Sequence, residues 1–154
     1  MIKSTSDPRL AEDVFEAIHS LMHQYRAQQY RALRDGPYDL THMEYKVLSF
    51  FVRQPQATSS DLVQHSRRDK AQVARLIKGL RDKGLLEGAA DVKDRRSIRL
   101  RLTEAGMSVH RVLEEERRYL NGLAIQGLEE GECRTLIALL ERVRSNVTSV
   151  PGDG

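Results

Sequence analysis

The sequence predicts a mostly α-helical fold with one small β-hairpin. Apolar residues recur at three- and four-residue spacing through most of the 154 positions. That period switches once to strict alternation, over Ser97-Ile-Arg-Leu-Arg-Leu102. The breaks between periodic stretches carry the Ser/Thr/Asp, Gly and Pro signals of helix ends. A chain of this length suits one domain, residues 1–154, with a core of its own.

The first helix runs from Leu10 through Val14, Ile18, Leu21 and Tyr25 to about Leu33, and Gly36-Pro37 stops it. Thr41-His-Met-Glu44 is a capping-box pattern. It opens a second helix with Met43, Val47, Leu48 and Phe51 on its inner face, which Gln54-Pro55 ends. Thr58, Ser59 and Ser60 are N-cap candidates for a short helix carrying Leu62 and Val63. His65-Ser-Arg-Arg68 makes a tight turn. Asp69 caps a fourth helix with Val73, Leu76, Ile77 and Leu80 on one face, and Gly84 suits its C-terminal cap.

Leu85-Leu86 is the expected partner of the alternating strand, with the polar Asp91–Arg96 at the hairpin tip. Thr103 caps a long helix that includes Val112, Leu113, Leu120 and Leu123. Gly127 and Gly131 bracket a break. Glu129, Glu130 and Glu132 then stand where a helix N-terminus favours negative charge. The last helix carries Leu136, Leu139, Leu140, Val143 and Val147, and the tail from Ser149 is expected to fray. A short helix, a tight turn and a second helix form a helix-turn-helix, and a hairpin straight after it makes the winged variant.

Composition narrows the function. Hydrophobic residues are 40% and charged residues 31%, which is globular composition. No apolar run approaches the roughly 20 residues of a membrane span. The first eight residues lack the apolar stretch of a secretion signal, so a cytoplasmic protein is expected, with no membrane partner. The single cysteine, Cys133, allows neither an intrachain disulfide nor a cysteine-based zinc site. Net charge is +3, but its distribution is uneven. Residues 67–101 hold 12 Lys+Arg against 5 Asp+Glu, while the rest of the chain holds 13 against 17. A basic segment inside a globular domain points to a polyanion partner.

Three segments carry a family resemblance. They are Leu40-Thr41 with Tyr45 and Leu48, then Asp69 to Leu80 with Lys83-Gly84-Leu85, then Asp91 to Arg96 with Leu102-Thr-Glu-Ala-Gly106. In this order and spacing the chain, over about residues 10–148, resembles the MarR family of bacterial winged-helix transcription regulators. The resemblance implies a homodimer in which the first helix and the last two helices of each subunit interlock. Residues 10–35 and 103–148 would then be dimerisation helices, and residues 40–102 the winged helix-turn-helix lobe. Two such lobes would straddle a pseudo-palindromic operator. Family members commonly repress transcription and release DNA when a small, often aromatic, ligand binds. Packing agrees with a dimer: the terminal segments are apolar on one face and far apart in sequence, and pairing across a two-fold axis buries both.

On the fourth helix, Lys70, Gln72, Arg75 and Lys78 are side chains of the kind that read a major groove. Gln pairs well with adenine, and Arg or Lys with guanine. Gln72 and one of Lys70 or Arg75 are expected at base edges and Lys78 nearer phosphate, the alternative being a solvated helix face. Ser59, Ser60, Ser66, Arg67 and Arg68 fit backbone contacts, with plain capping the alternative for Ser59 and Ser60. In the wing, Asp94 and Arg96 match the family's Asp-x-Arg pattern. The resemblance implies that Arg96 enters a minor groove while Asp94 orients it, with Lys93 and Arg95 adding phosphate contacts. A narrow A·T groove rewards an inserted guanidinium. Arg99 and Arg101 fall on the wet face of the strand, each no more than a candidate phosphate neighbour.

By resemblance, an effector would sit in a crevice lined by the first helix, the loop after it and the second helix. Candidates are His19, His23, Tyr38, His42 and Tyr45, with core or surface roles as the alternative for each. His19 and His23, four residues apart, make only half a metal site, so neither metal nor cofactor is expected. Cys133 is expected to be a buried or interface thiol. Two other function classes compete. A winged-helix module that binds a protein would lack the basic surface seen here. An enzyme would need a phosphate loop, a His-Glu-x-x-His or a nucleophile elbow, and the sequence has none of these.

Overall fold

The computed structural model describes residues 7–36, 38–90 and 98–152. Elements follow in the order α1 (Pro8–Asp35), α2 (His42–Arg53), α3 (Ser59–Ser66), α4 (Lys70–Asp82), β1 (Leu86–Ala90), β2 (Ile98–Leu102), α5 (Glu104–Ala124) and α6 (Glu130–Thr148). This is the mostly helical fold with a two-stranded antiparallel hairpin that the sequence predicts.

Local chemistry sets each boundary. Asp7 caps α1 by accepting from the Arg9 N–H, and Pro8 occupies the first turn, where its missing N–H costs nothing. Thr41 and Glu44 close the expected capping box, each side chain accepting from the other's backbone N–H at 3.1 Å. A second box, Thr58 with Asp61, opens α3. Thr58 is therefore the cap, and Ser59 and Ser60 occupy the first turn. Arg67 closes α3 in the left-handed conformation (φ 55°), which bends the chain sharply toward α4. Asp69 caps α4 through the Ala71 N–H. Thr103 accepts from the Gly106 N–H at the start of α5.

Three details differ from the sequence reading. Leu85 lies just outside β1: its N–H donates to Leu80 and its carbonyl accepts from Thr103, so it forms a turn and not a ladder rung. The segment before α3 joins the sheet. Gln56 N–H donates to the Leu100 carbonyl, Leu100 N–H donates to Ala57, and Thr58 bridges Arg99. Gln56 enters this short edge with φ 67°. Finally, Gly131 falls in the first turn of α6, so the break between the last two helices spans 125–129, with Gly127 in the left-handed region and Glu129 and Glu132 forming the capping box.

The contacts form two compact units, residues 1–116 and 117–154. The first contains the core, in which Leu48, Leu80 and Leu85 are wholly buried and Phe50 and Phe51 pack edge to face. At the α5 start the backbone comes close enough that a Cβ on Gly106 would lie 2.1 Å from the Leu85 carbonyl oxygen, so only glycine fits. The second unit holds the end of α5 and all of α6, and no residue of α6 is buried. Among the described residues, no helix is long and apolar enough to cross a membrane.

Candidate nucleic-acid interface

The amphipathic pattern of α4 fixes which side faces outward. Val73, Ile77 and Leu80 are buried against the core. Lys70, Arg75, Lys78 and Arg81 are exposed, and Gln72 is half-buried beside them. Lys78 pairs with Asp82 at 2.8 Å, but both side chains are more than 60% exposed. Such a pair is worth little, so a phosphate can compete for the ammonium. Ser59 from the first turn of α3 lines a groove together with Lys78 and Arg81. Ser66 accepts from the Arg68 N–H, and Arg67 and Arg68 are exposed on the turn between the two helices. The structure thus gathers Ser59, Ser60, Ser66, Arg67, Arg68 and the α4 side chains on α3, α4 and their turn. Lys93, Asp94, Arg95 and Arg96 lie outside the described residues.

Arg81 is the residue the sequence reading passed over. It stands three positions beyond Lys78, in the same basic run, and its guanidinium reaches the base of the wing near Gly88. The i, i+3 spacing was the available signal. Two other arginines have structural duties. Arg99 donates to the Gln56 carbonyl at 3.1 Å, and Arg101 pairs with Glu87 across the hairpin at 2.8 Å. Both brace the wing where it leaves the lobe.

An ion pair between a half-buried lysine and a buried glutamate holds the C-terminal end of α4. Glu44 is 7% exposed, the one buried charged residue among those described. Lys83, the C-cap of α4, donates to its two carboxylate oxygens at 3.0 and 3.1 Å and to the Asp39 carbonyl at 2.7 Å. A buried carboxylate left unpaired would be costly. The pair therefore ties α4 to the entry of α2.

The effector candidates do not share one place. Tyr38 lines a cavity of about 270 Å³ together with Leu33, Leu40, Val109, Val112 and Glu116. Tyr45 donates its hydroxyl to Glu114 and stacks on His110, with centroids 5.7 Å apart, while Ser49 contacts His110 Nε2 at 3.1 Å. Tyr45 thereby joins α2 to α5. His42 is half-buried, and burial, followed by the charges of Lys46 and Arg26, holds its pKa below the ordinary histidine value. His19 and His23 are exposed on α1. Among the described residues, no cluster of three His, Cys, Asp or Glu could hold a metal ion. Cys133 is half-buried on α6.

The sequence profile of the MarR family matches residues 38–97. Over 109 residues the chain is 30% identical to YybA, an uncharacterized HTH-type transcriptional regulator of Bacillus subtilis, an overlap of 71% of this chain and 73% of the relative. Among solved structures, the fold resembles Streptococcus pneumoniae FabT in complex with DNA, with TM-score 0.81, 20% identity and coverage of 92% of this chain and 99% of that one. It also resembles the transcriptional regulator SlyA, with TM-score 0.69, 25% identity and coverage of 88% and 94%. Members of the matched family are transcriptional regulators, not enzymes. With its capped helix-turn-helix, hairpin wing and this degree of identity to a regulator, the chain belongs to the MarR family of winged-helix transcriptional regulators.

Proposed function

We propose that the protein is a cytoplasmic, homodimeric, sequence-specific DNA-binding repressor, released from a pseudo-palindromic operator by a small ligand. The observation that carries the DNA reading is the outer face of α4, where Lys70, Arg75, Lys78 and Arg81 are exposed directly after the turn of a helix-turn-helix. In this reading Gln72 and Arg75 reach base edges, Lys78 approaches phosphate, and Ser59, Ser60, Ser66, Arg67 and Arg68 fix the lobe on the backbone. Lys93, Asp94, Arg95 and Arg96 serve the neighbouring minor groove.

Dimerisation has separate support. Leu10, Val14, Phe15 and Leu21 on α1, and Leu136, Ile137, Leu139 and Leu140 on α6, are each at least 42% exposed. Apolar stripes of this extent call for a cover, and a second copy supplies it with two-fold symmetry. The effector reading uses the cavity beside Tyr38. Its walls are largely aliphatic, and Glu116 is the charged residue on its lining. That chemistry favours a neutral or cationic apolar ligand over an anion. Binding would shift the population toward a lobe spacing that no longer matches the half-sites.

Sedimentation with a labelled duplex tests the reading. The free protein should run at twice the chain mass, two chains should load per duplex, and affinity should fall steeply with salt as counterions are released. A monomer that ignores DNA at low salt would sink it and turn attention to a protein partner for the winged lobe.

A further inference from the structure

The segment between α1 and α2 has two neighbours of different kinds. On one side, Tyr38 and Leu40 line the cavity. Between them, the carbonyl of Asp39 accepts the shortest of the three Lys83 hydrogen bonds. Lys83 spends its remaining donors on Glu44, and all of these bonds meet at the C-cap of α4, the helix that carries Lys70, Arg75 and Lys78. The same Glu44 accepts from the Thr41 N–H, so the ammonium, the cavity wall and the first turn of α2 form one hydrogen-bonded unit.

From this arrangement we infer that Lys83 and Glu44 are the positioning residues that couple occupancy of the cavity to the setting of α4. The inference rests on the DNA-binding reading above and assigns the regulation of that site to particular atoms. An ion pair with one buried partner adds little net stability compared with an apolar pair of the same shape, so its value lies in geometry. A cavity wall that moves outward carries the Asp39 carbonyl with it. Lys83 must then follow, or lose a bond that the half-buried ammonium cannot readily replace. Either response alters the last turn of α4, and base contacts tolerate little displacement.

A double-mutant cycle tests the coupling without a known ligand. Ala32→Phe, from α1, fills the cavity and stands in for an occupant. Glu44→Gln with Lys83→Met removes the ionic link while keeping side-chain length and an oxygen to accept from Thr41. Affinity is measured for a duplex selected by the unaltered protein and for a random duplex, with a thermal melt of each variant. The filler should weaken operator binding about fivefold or more in the native background and less than about twofold in the Glu44→Gln/Lys83→Met background, with random-duplex affinity unchanged. The same factor in both backgrounds, or no effect in the native one, overturns the coupling. Should Ala32→Phe fail to fold, Ala105→Leu fills the same cavity from α5. Failure of the unaltered protein to select any duplex would instead overturn the DNA reading itself.

Discussion

The winged lobe and the terminal helices solve the problem of apolar surface in opposite ways. In the lobe, Leu48, Leu80 and Leu85 are wholly buried, and Val73, Phe50 and Phe51 nearly so. In α6 no side chain is buried, and Ile137 is 60% exposed. Along α1, Leu21 is equally exposed, and Leu33 is the one buried residue. The lobe buries α4 in a core that it shares with Leu33 of α1 and with Val109 and Leu113 of α5. The terminal helices have amphipathic faces whose burial awaits another surface. In the dimeric reading proposed above, a lobe with its own core and a separately assembled frame would allow the frame to set the distance between two lobes.

The largest expected effect comes from breaking the buried core. Leu80→Ala should cost about 2–5 kcal/mol of stability, read from thermal or denaturant unfolding, because it opens a cavity under α4. The cost should not depend on protein concentration. Ile137→Glu should act in the other region and in another way. It should leave the lobe folded, convert the proposed dimer to a monomer on sedimentation, and reduce operator affinity at least about tenfold. A variant that remains dimeric would remove this face of α6 from the interface.

Within the reading head the effects should separate by role. Arg75→Ala should lose about 1–3 kcal/mol of discrimination at one base-pair position of each half-site. Lys78→Ala should instead weaken all duplexes alike and reduce the salt slope by about one. Titration against a panel of single-position variants of the duplex separates the two outcomes. If Arg75→Ala weakens every duplex equally, that side chain contacts backbone and not bases.

The smallest effect concerns His42. Burial first, then Lys46 and Arg26, lower its pKa in the fold. The unfolded chain therefore binds more protons just below the ordinary value of about 6.5, and stability should decline as pH falls from there through the lowered pKa. His42→Gln should flatten that part of the stability profile. A profile of unchanged slope would show that other groups set it.

Much of this was legible in the sequence because it is local. The Thr41/Glu44 capping box, the Asp69 cap and the alternation of Ile98 to Leu102 each lie within a few residues, and their periodicity or hydrogen-bonding types announce them. The exposed face of α4 followed from the same periodicity. What escaped is non-local or lacks side-chain pattern. The pairing of Gln56 to Thr58 with β2 involves too few residues for a period, and Gln56 takes a positive φ without being glycine. Lys83 and Glu44 are 39 positions apart and Tyr45 and Glu114 are 69 apart, so only the fold brings them together. The cavity gathers Leu33, Leu40 and Val109 from three separate segments of the chain, which no local pattern links.

The most direct measurement is selection of bound duplex from a random pool at near-physiological salt. A dimer presenting two copies of α4 should enrich a two-fold symmetric motif with half-sites about ten base pairs apart. A single unsymmetric half-site would contradict the dimeric frame. General, salt-sensitive binding with no enriched motif would contradict the assignment of α4 as the reading helix.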